Sequence, residues 1–301
     1  MMFDKNNVEM CVLYGVTPLH AGSGQATGVV DLPIQRERHT GWPMVQASGV
    51  KGAFRDWFTR YYTANPENPG QQDQARKLDD LVFGKEEKSG DAGHAGALSV
   101  SDARLLLFPV RSNVAPFVWL ICPAILERLK RDMRLLGVTW DFQIPEPPKD
   151  AAVFLTEGLD DSDIILEDMA VTRKEEEVGE IRELMAGLAP HATRILVVHD
   201  KNFKFLVETA TEVQPQIRIK EDTGTTQDGS LRYQELLPSD SVLYVMTFFT
   251  SERTPNAEMK PEKVELIRSS VKAALSSHVQ MGGDMTMGRG IMEIRWYAPN
   301  A

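Results

Sequence analysis

Both ends of the chain carry the same pattern: a strand apolar on two faces, an amphipathic helix, and another strand. Val8, Met10, Val12, Tyr14 and Val16 alternate with Cys11 and Leu13. Neither face of that segment suits water, which predicts a central strand. From Ala47 to Tyr62 the apolar positions Val50, Phe54, Trp57, Phe58 and Tyr61 fall on one side of a helix. Leu98–Phe108 reads as a second strand and Phe117–Cys122 as a third. Near the C-terminus, Val242–Phe249 reads as a strand. Pro261 opens a helix with Val264, Ile267, Val271 and Leu275 inward, and Ile291–Trp296 is the last strand.

Joined in one sheet, these units predict an α+β fold with a βαββαβ, ferredoxin-like (RRM-like) core. That sheet is a common RNA-recognition platform, although a fold alone assigns no function. The predicted organisation is a single domain over 1–301, with 1–108 and 241–301 forming the core. Residues 109–240 form an inserted helical and acidic region. Inside it, Pro123 suits the first position of a helix with Ile125, Leu126, Leu129, Met133 and Leu136 inward. Pro145, Pro147 and Pro148 mark an extended linker. Ile195–Val198 and Phe203–Val207 are strand-like, and Lys85–Gly96 reads as a mobile loop after a short helix near 75–82. Ile217-Arg218-Ile219 and Leu231-Arg232-Tyr233 flank Asp222-Thr223-Gly224 and Asp228-Gly229. Those turns tolerate positive φ, so a protruding hairpin is expected within about 208–240.

The 301 residues are 42% hydrophobic, enough for a sizeable core. No apolar run reaches bilayer length, and the first residues lack the profile of a signal peptide. Cys11 and Cys122 are the only cysteines, both in apolar runs. They predict buried thiols, a reducing cytoplasm and no cysteine-based zinc site. A net charge of −10 argues at first against nucleic acid. However, residues 151–190 carry eleven acidic and three basic residues, so the remainder is almost balanced and a local basic surface can exist. The acidic stretch reads as a solvated face or insertion.

The chemistry-bearing residues cluster between 17 and 55. A strand runs into His20-Ala21-Gly22-Ser23-Gly24. A loop reaches Asp31-Leu32-Pro33-Ile34-Gln35-Arg36, and Ser48-Gly49-Val50-Lys51-Gly52 with Arg55 opens a helix. A histidine, a lone carboxylate and cations beside a helix N-terminus suit a phosphodiester. Asp31 could accept a proton or hold a divalent cation, and His20 could donate or accept. One carboxylate is too few ligands for a preformed cage, so any Mg²⁺ or Mn²⁺ at Asp31 would lean on phosphate and water. Each residue also has a structural reading: Asp31 as a turn cap, His20 as a satisfied histidine, Glu235 as a surface charge at a strand end. Gly49 and Gly52 could serve tight helix packing. Gly282, Gly283, Gly288 and Gly290, with Arg289, could shape a turn or form an anion nest. Lys51 opposes its helix dipole, which a bound phosphate would offset. Met281, Met285, Met287 and Met292 read as packing or stacking surface. Trp42, in a polar loop, reads as the one tryptophan placed for contact.

The His20–Gly24 segment, the Asp31–Arg36 run, the Ser48–Gly52 helix start, Tyr233-Gln234-Glu235-Leu236-Leu237-Pro238 and the Gln280–Gly290 loop together resemble the RAMP superfamily of CRISPR proteins. Within it they look like the backbone subunit of the type III-B (Cmr) RNA-targeting effector complex. Residues 132–191 carry no matching motif. The resemblance implies a subunit that stacks head to tail along a CRISPR guide RNA beside other Cmr-type subunits, with no membrane role. A hairpin "thumb" would push between guide and target, and each copy would cut the displaced target RNA at regular intervals. It implies Asp31 as the catalytic carboxylate with His20 and Glu235 as further cleavage residues. Guide contact is implied for Lys51, Arg55, Ser48, Gly49, Gly52, Arg36, Gly282, Gly283 and Arg289. The alternatives are a guide-binding backbone subunit with a silent site, a precursor-RNA processing nuclease, and a related type III-A subunit.

Overall fold

The computed structural model describes residues 4–25, 28–64, 69–87, 92–156, 163–253 and 261–297. Strand β1 (Val8–Gly15) leads through a long irregular segment to helices α1 (Ala47–Thr63) and α2 (Pro69–Phe83). Then come β2 (Ala103–Val110), β3 (Val118–Ile121) and α3 (Pro123–Met133). The middle holds β4 (Ala151–Phe154), β5 (Asp163–Leu166), β6 (Met169–Lys174), α4 (Gly179–Leu188), β7 (Ile195–Val198) and α5 (Asp200–Thr209). A separate pair, β8 (Glu212–Gln216) and β9 (Arg232–Leu236), precedes β10 (Val242–Phe249), α6 (Pro261–Ala274), β11 (His278–Gln280) and β12 (Ile291–Tyr297).

One mixed sheet runs in the order β11-β12-β1-β10-β2-β3-β7-β4-β6-β5. β1 lies in its interior, antiparallel to β10 (Cys11 opposite Val245) and to β12 (Val12 opposite Arg295). Only Glu9 and Tyr14 of β1 escape full burial, as a strand apolar on both faces requires. α1 buries Val50, Phe54 and Phe58, and Tyr62 Oη donates to the Ser270 carbonyl of α6 at 3.1 Å, tying the two end units together. β3 pairs antiparallel with β2 and parallel with β7. The residues between the two ends therefore extend the same sheet and share its core.

α3 opens on Pro123 and buries Ile125, Leu126, Leu129 and Met133, as its spacing predicts. In the acidic stretch, β4 is wholly buried and α4 buries Ile181, Leu184, Met185 and Leu188. The charges occupy the opposite faces; Glu157, Asp160 and Asp161 lie outside the described residues. Cys11 and Cys122 are free and buried, and burial pushes both thiols well above their ordinary range.

Two expectations are corrected. Phe203–Val207 is helical, inside α5, because Asn202, Phe203, Leu206 and Val207 bury one helical face and His199 Nδ1 caps the Lys201 amide. Leu98–Phe108 is two strands, Leu98–Val100 on β10 and then β2, broken where Ser101 Oγ accepts the Met246 amide. The expected Lys85–Gly96 loop is closed by pairing of Gly84–Lys85 with His94–Ala95; residues 88–91 lie outside the described residues. No helix among the described residues is long and apolar enough to cross a membrane.

Candidate functional site

β9 is the backbone on which the candidate site is built. The Asp31 segment lies parallel to it: Leu32 N donates to the Tyr233 carbonyl and Glu235 N to the Leu32 carbonyl, both at 3.0 Å. Asp31 Oδ2 accepts the Tyr233 amide at 2.7 Å. The carboxylate therefore caps no turn of its own loop. It is fixed from 202 residues away, and its other oxygen has no hydrogen-bond partner among the described residues, on a partly exposed side chain.

The histidine segment meets the end of the same strand. Leu19 and Leu237 exchange both backbone hydrogen bonds at 2.9 Å, and His20 Nδ1 lies 2.8 Å from the Glu235 carbonyl oxygen. A carbonyl only accepts, so Nδ1 carries the proton and Nε2 is the nitrogen left for other work. The Asp31 and His20 anchors, at Tyr233 and Glu235, are two residues apart, about 7 Å along a strand.

Glu235 is buried, with 5% of its surface exposed. One carboxylate oxygen takes Arg36 at 2.5 Å and Thr211 Oγ1 at 2.8 Å; the other takes the Ile34 amide at 3.0 Å. Arg36 also donates to the carbonyls of Gly41 and Val207. The surface-charge reading of Glu235 is thus overturned. It joins the Asp31 loop to both legs of the β8–β9 hairpin, and Arg36 faces inward as its counter-ion.

The glycine-rich loop packs directly against the histidine strand. Gly283 N donates to the His20 carbonyl and Gly290 N to the Pro18 carbonyl, each at 2.9 Å. Gly282 has φ +74°, and a Cβ there would lie 2.4 Å from the His20 carbonyl oxygen, so glycine is required. The amides of Gly283, Gly288, Arg289 and Gly290 all donate to protein carbonyls. Arg289 donates to Gln214 at 2.8 Å. Through Gly283 and Gly290 the loop braces the histidine segment.

At the start of α1, Gln46 gives no side-chain cap, and Ser48, Gly49 and Gly52 are exposed. Burial first, then Arg55 and Arg253, depresses the Lys51 ammonium below the usual lysine range. Arg55 itself is tied to Asp79 at 2.6 and 2.9 Å.

Residues 12–293 match the RAMP superfamily. The chain belongs to the RAMP superfamily. A relative 33% identical over 292 residues, covering 94% of this chain and 93% of its own length, is the CRISPR system Cmr endoribonuclease Cmr4 of Pyrococcus furiosus. That degree of identity places this RAMP protein in the Cmr4 family. The CRISPR system CMR subunit Cmr4 of Saccharolobus solfataricus is 23% identical, with 93% and 94% of the two chains covered. Among solved structures, oligomeric Cmr4 from Pyrococcus furiosus superposes with a TM-score of 0.68 at 26% identity, covering 96% and 97% of the two chains. A chain of the type III-B Cmr-beta complex bound to cognate target RNA shares the fold, with a TM-score of 0.72 at 19% identity and the same coverage.

In this RAMP protein Trp42 is no contact residue. It is 5% exposed, stands edge-on to Phe203 and lies under the Arg128 guanidinium. Met281 and Met292 are buried, whereas Met285 and Met287 are exposed. Sequence reasoning missed Gln35. Its Nε2 donates to the Gly22 carbonyl at 3.0 Å and its Oε1 accepts the Gln46 amide at 2.7 Å, linking the histidine loop to the start of α1. Its place inside the Asp31–Arg36 run was the available signal. Asp284, which binds Gln234, had the like signal of the Gln280–Gly290 loop, whereas Thr211 and Gln214, which bind Glu235 and Arg289, had none. The donors do not fit a resident divalent cation. Asp31 offers one free oxygen, Glu235 is fully engaged, and no group of three acidic, histidine or cysteine side chains among the described residues could hold a metal.

Proposed function

We propose that the chain is a guide-RNA-binding backbone subunit of a type III-B CRISPR effector and cuts bound target RNA at regular intervals. The reading places it in the cytoplasm, stacked head to tail with copies of itself and joined by other Cmr-type subunits. The observation that carries the nuclease reading is Asp31: a carboxylate clamped on one oxygen at the hairpin root, its anchor on β9 two residues from that of a histidine of defined tautomer.

The strand order β12-β1-β10-β2, with α1 and α6 as crossovers, supports a ferredoxin-like core. The β8–β9 hairpin supports the thumb reading. Its described extension pairs Ile219 with Thr226, and the hairpin and extension together carry exposed Val213, Ile217, Ile219, Leu231 and Tyr233, apolar groups suited to wedging between bases. The uncapped start of α1 with exposed Ser48, Gly49 and Gly52 and the half-buried Lys51 supports guide-phosphate binding. Arg36, Arg55 and Arg289 hold protein partners, so their part in guide binding is to shape the surface.

RNA carries its own nucleophile. Displacing one base lets the 2′-hydroxyl line up with its phosphorus. Asp31 accepts the 2′-hydroxyl proton, and protonated His20 Nε2 gives one to the departing 5′-oxygen. Positioned cations and amides stabilise the charge on the phosphorane. Glu235 and Arg36 act by holding Asp31 and the hairpin root in register. No step requires a metal held by the protein. The test is the chemistry of the product ends. Mass spectrometry of cut target should find a 2′,3′-cyclic phosphate and a 5′-hydroxyl. A 3′-hydroxyl end would mean that water attacks and would refute the mechanism. Uncut target on a fully assembled complex would favour the silent-subunit reading.

A further inference from the structure

Gly22 lies in the histidine loop, paired with Ile34 across an antiparallel bridge. Its carbonyl accepts Gln35 Nε2 at 3.0 Å. It is exposed, and its backbone is outside the left-handed region, so neither burial nor conformation demands glycine there. What demands it is the imidazole. A Cβ at position 22 would stand 2.8 Å from His20 Nε2, 3.5 Å from Cε1 and 3.6 Å from Cδ2. The ring has little room to yield. Its Nδ1 is held at 2.8 Å by the Glu235 carbonyl. The His20 carbonyl is held at 2.9 Å by the Gly283 amide, which fixes the backbone from which the ring projects.

We infer that Gly22 is a positioning residue for the cutting reaction: by lacking a side chain it keeps His20 Nε2 open while Nδ1 stays locked on Glu235. This rests on the nuclease reading above for its effect on rate. The seat of the ring can be tested separately. Alanine at 22 forces the ring to swing away, breaking the Nδ1 bond, or crowds a methyl group against Nε2 and displaces its resonance. Either outcome removes the proton exchange that Nε2 supplies.

The test is Gly22→Ala in the guide-loaded complex, with guide occupancy, target affinity and single-turnover cutting measured beside His20→Ala and the double variant. The expected result is unchanged binding and a loss of cutting of at least tenfold. The double variant should be no slower than His20→Ala alone, because both changes disable one group. Wild-type cutting by Gly22→Ala, or a loss that multiplies with that of His20→Ala, would overturn the inference. Nitrogen-15 ring spectra of the histidine-labelled protein give a readout free of activity. In the wild type His20 should show a protonated Nδ1 and a bare Nε2 in its neutral form, and that signature should be lost or displaced in Gly22→Ala. An unchanged ring signature would overturn the proposal. A wild-type complex that leaves target intact would instead sink the nuclease reading, while the spectra would still decide the seat.

Discussion

At the scale of single residues, the site separates side chains held open from those held shut. Arg36 and Glu235 are held shut, at 22% and 7% side-chain exposure. Removing one member strands the other charge away from water. Arg36→Ala should therefore destabilise the fold by about 3–5 kcal/mol, read by urea unfolding. A loss below about 1 kcal/mol would place the pair among ordinary surface bridges. Lys51 is half-buried, and its ammonium loses its proton more readily than an ordinary lysine because of burial and the neighbouring Arg55 and Arg253. A guide phosphate favours the charged form, so binding takes up a proton. Affinity for guide should be full below the depressed Lys51 pKa and fall as pH rises through it. Lys51→Arg should flatten that fall, and a pH titration of guide binding checks both. The stability sign is opposite: burying the ammonium is unfavourable at low pH, and that penalty disappears as pH rises past the unfolded value.

At the scale of elements, the glycine-rich loop is a brace for the histidine strand, and two of its glycines separate backbone conformation from close approach. Gly288 and Gly290 both have left-handed φ, +71° and +69°. A Cβ at 288 meets nothing within 4 Å, whereas one at 290 would lie 1.9 Å from the Met281 carbonyl oxygen. Gly288→Ala should lower stability by about 1 kcal/mol through φ alone. Gly290→Ala should cost more and reduce cutting as well, because the loop would have to leave the Pro18–His20 strand. Equal losses in thermal melts would contradict this account. The elements were legible where a single period dominates: the spacing of α1, α3 and α6 and the two-faced β1 and β10 stand out in the residues themselves. Phe203–Val207 was not, because four apolar residues in a five-residue run fit strand or helix until burial on neighbouring elements decides.

At the scale of the whole molecule, one sheet carries both the end units and the middle of the chain, and the hairpin rises from the point where the histidine and carboxylate segments meet it. The presence of Asp31 and His20 was legible in their local order. Their joint seat on β9 was not, since it depends on bonds to residues more than 200 positions away. For the same reason Glu235, its partner Arg36 being 199 residues distant, looked like a surface charge. The proposed function makes one claim above all: the second oxygen of Asp31 takes the proton that starts RNA cutting. Asp31→Asn keeps the side-chain oxygen that accepts the Tyr233 amide but cannot serve as that base. In a guide-loaded complex that binds target as tightly as wild type, single-turnover cutting by Asp31→Asn should be abolished. Cutting near the wild-type rate would contradict the account.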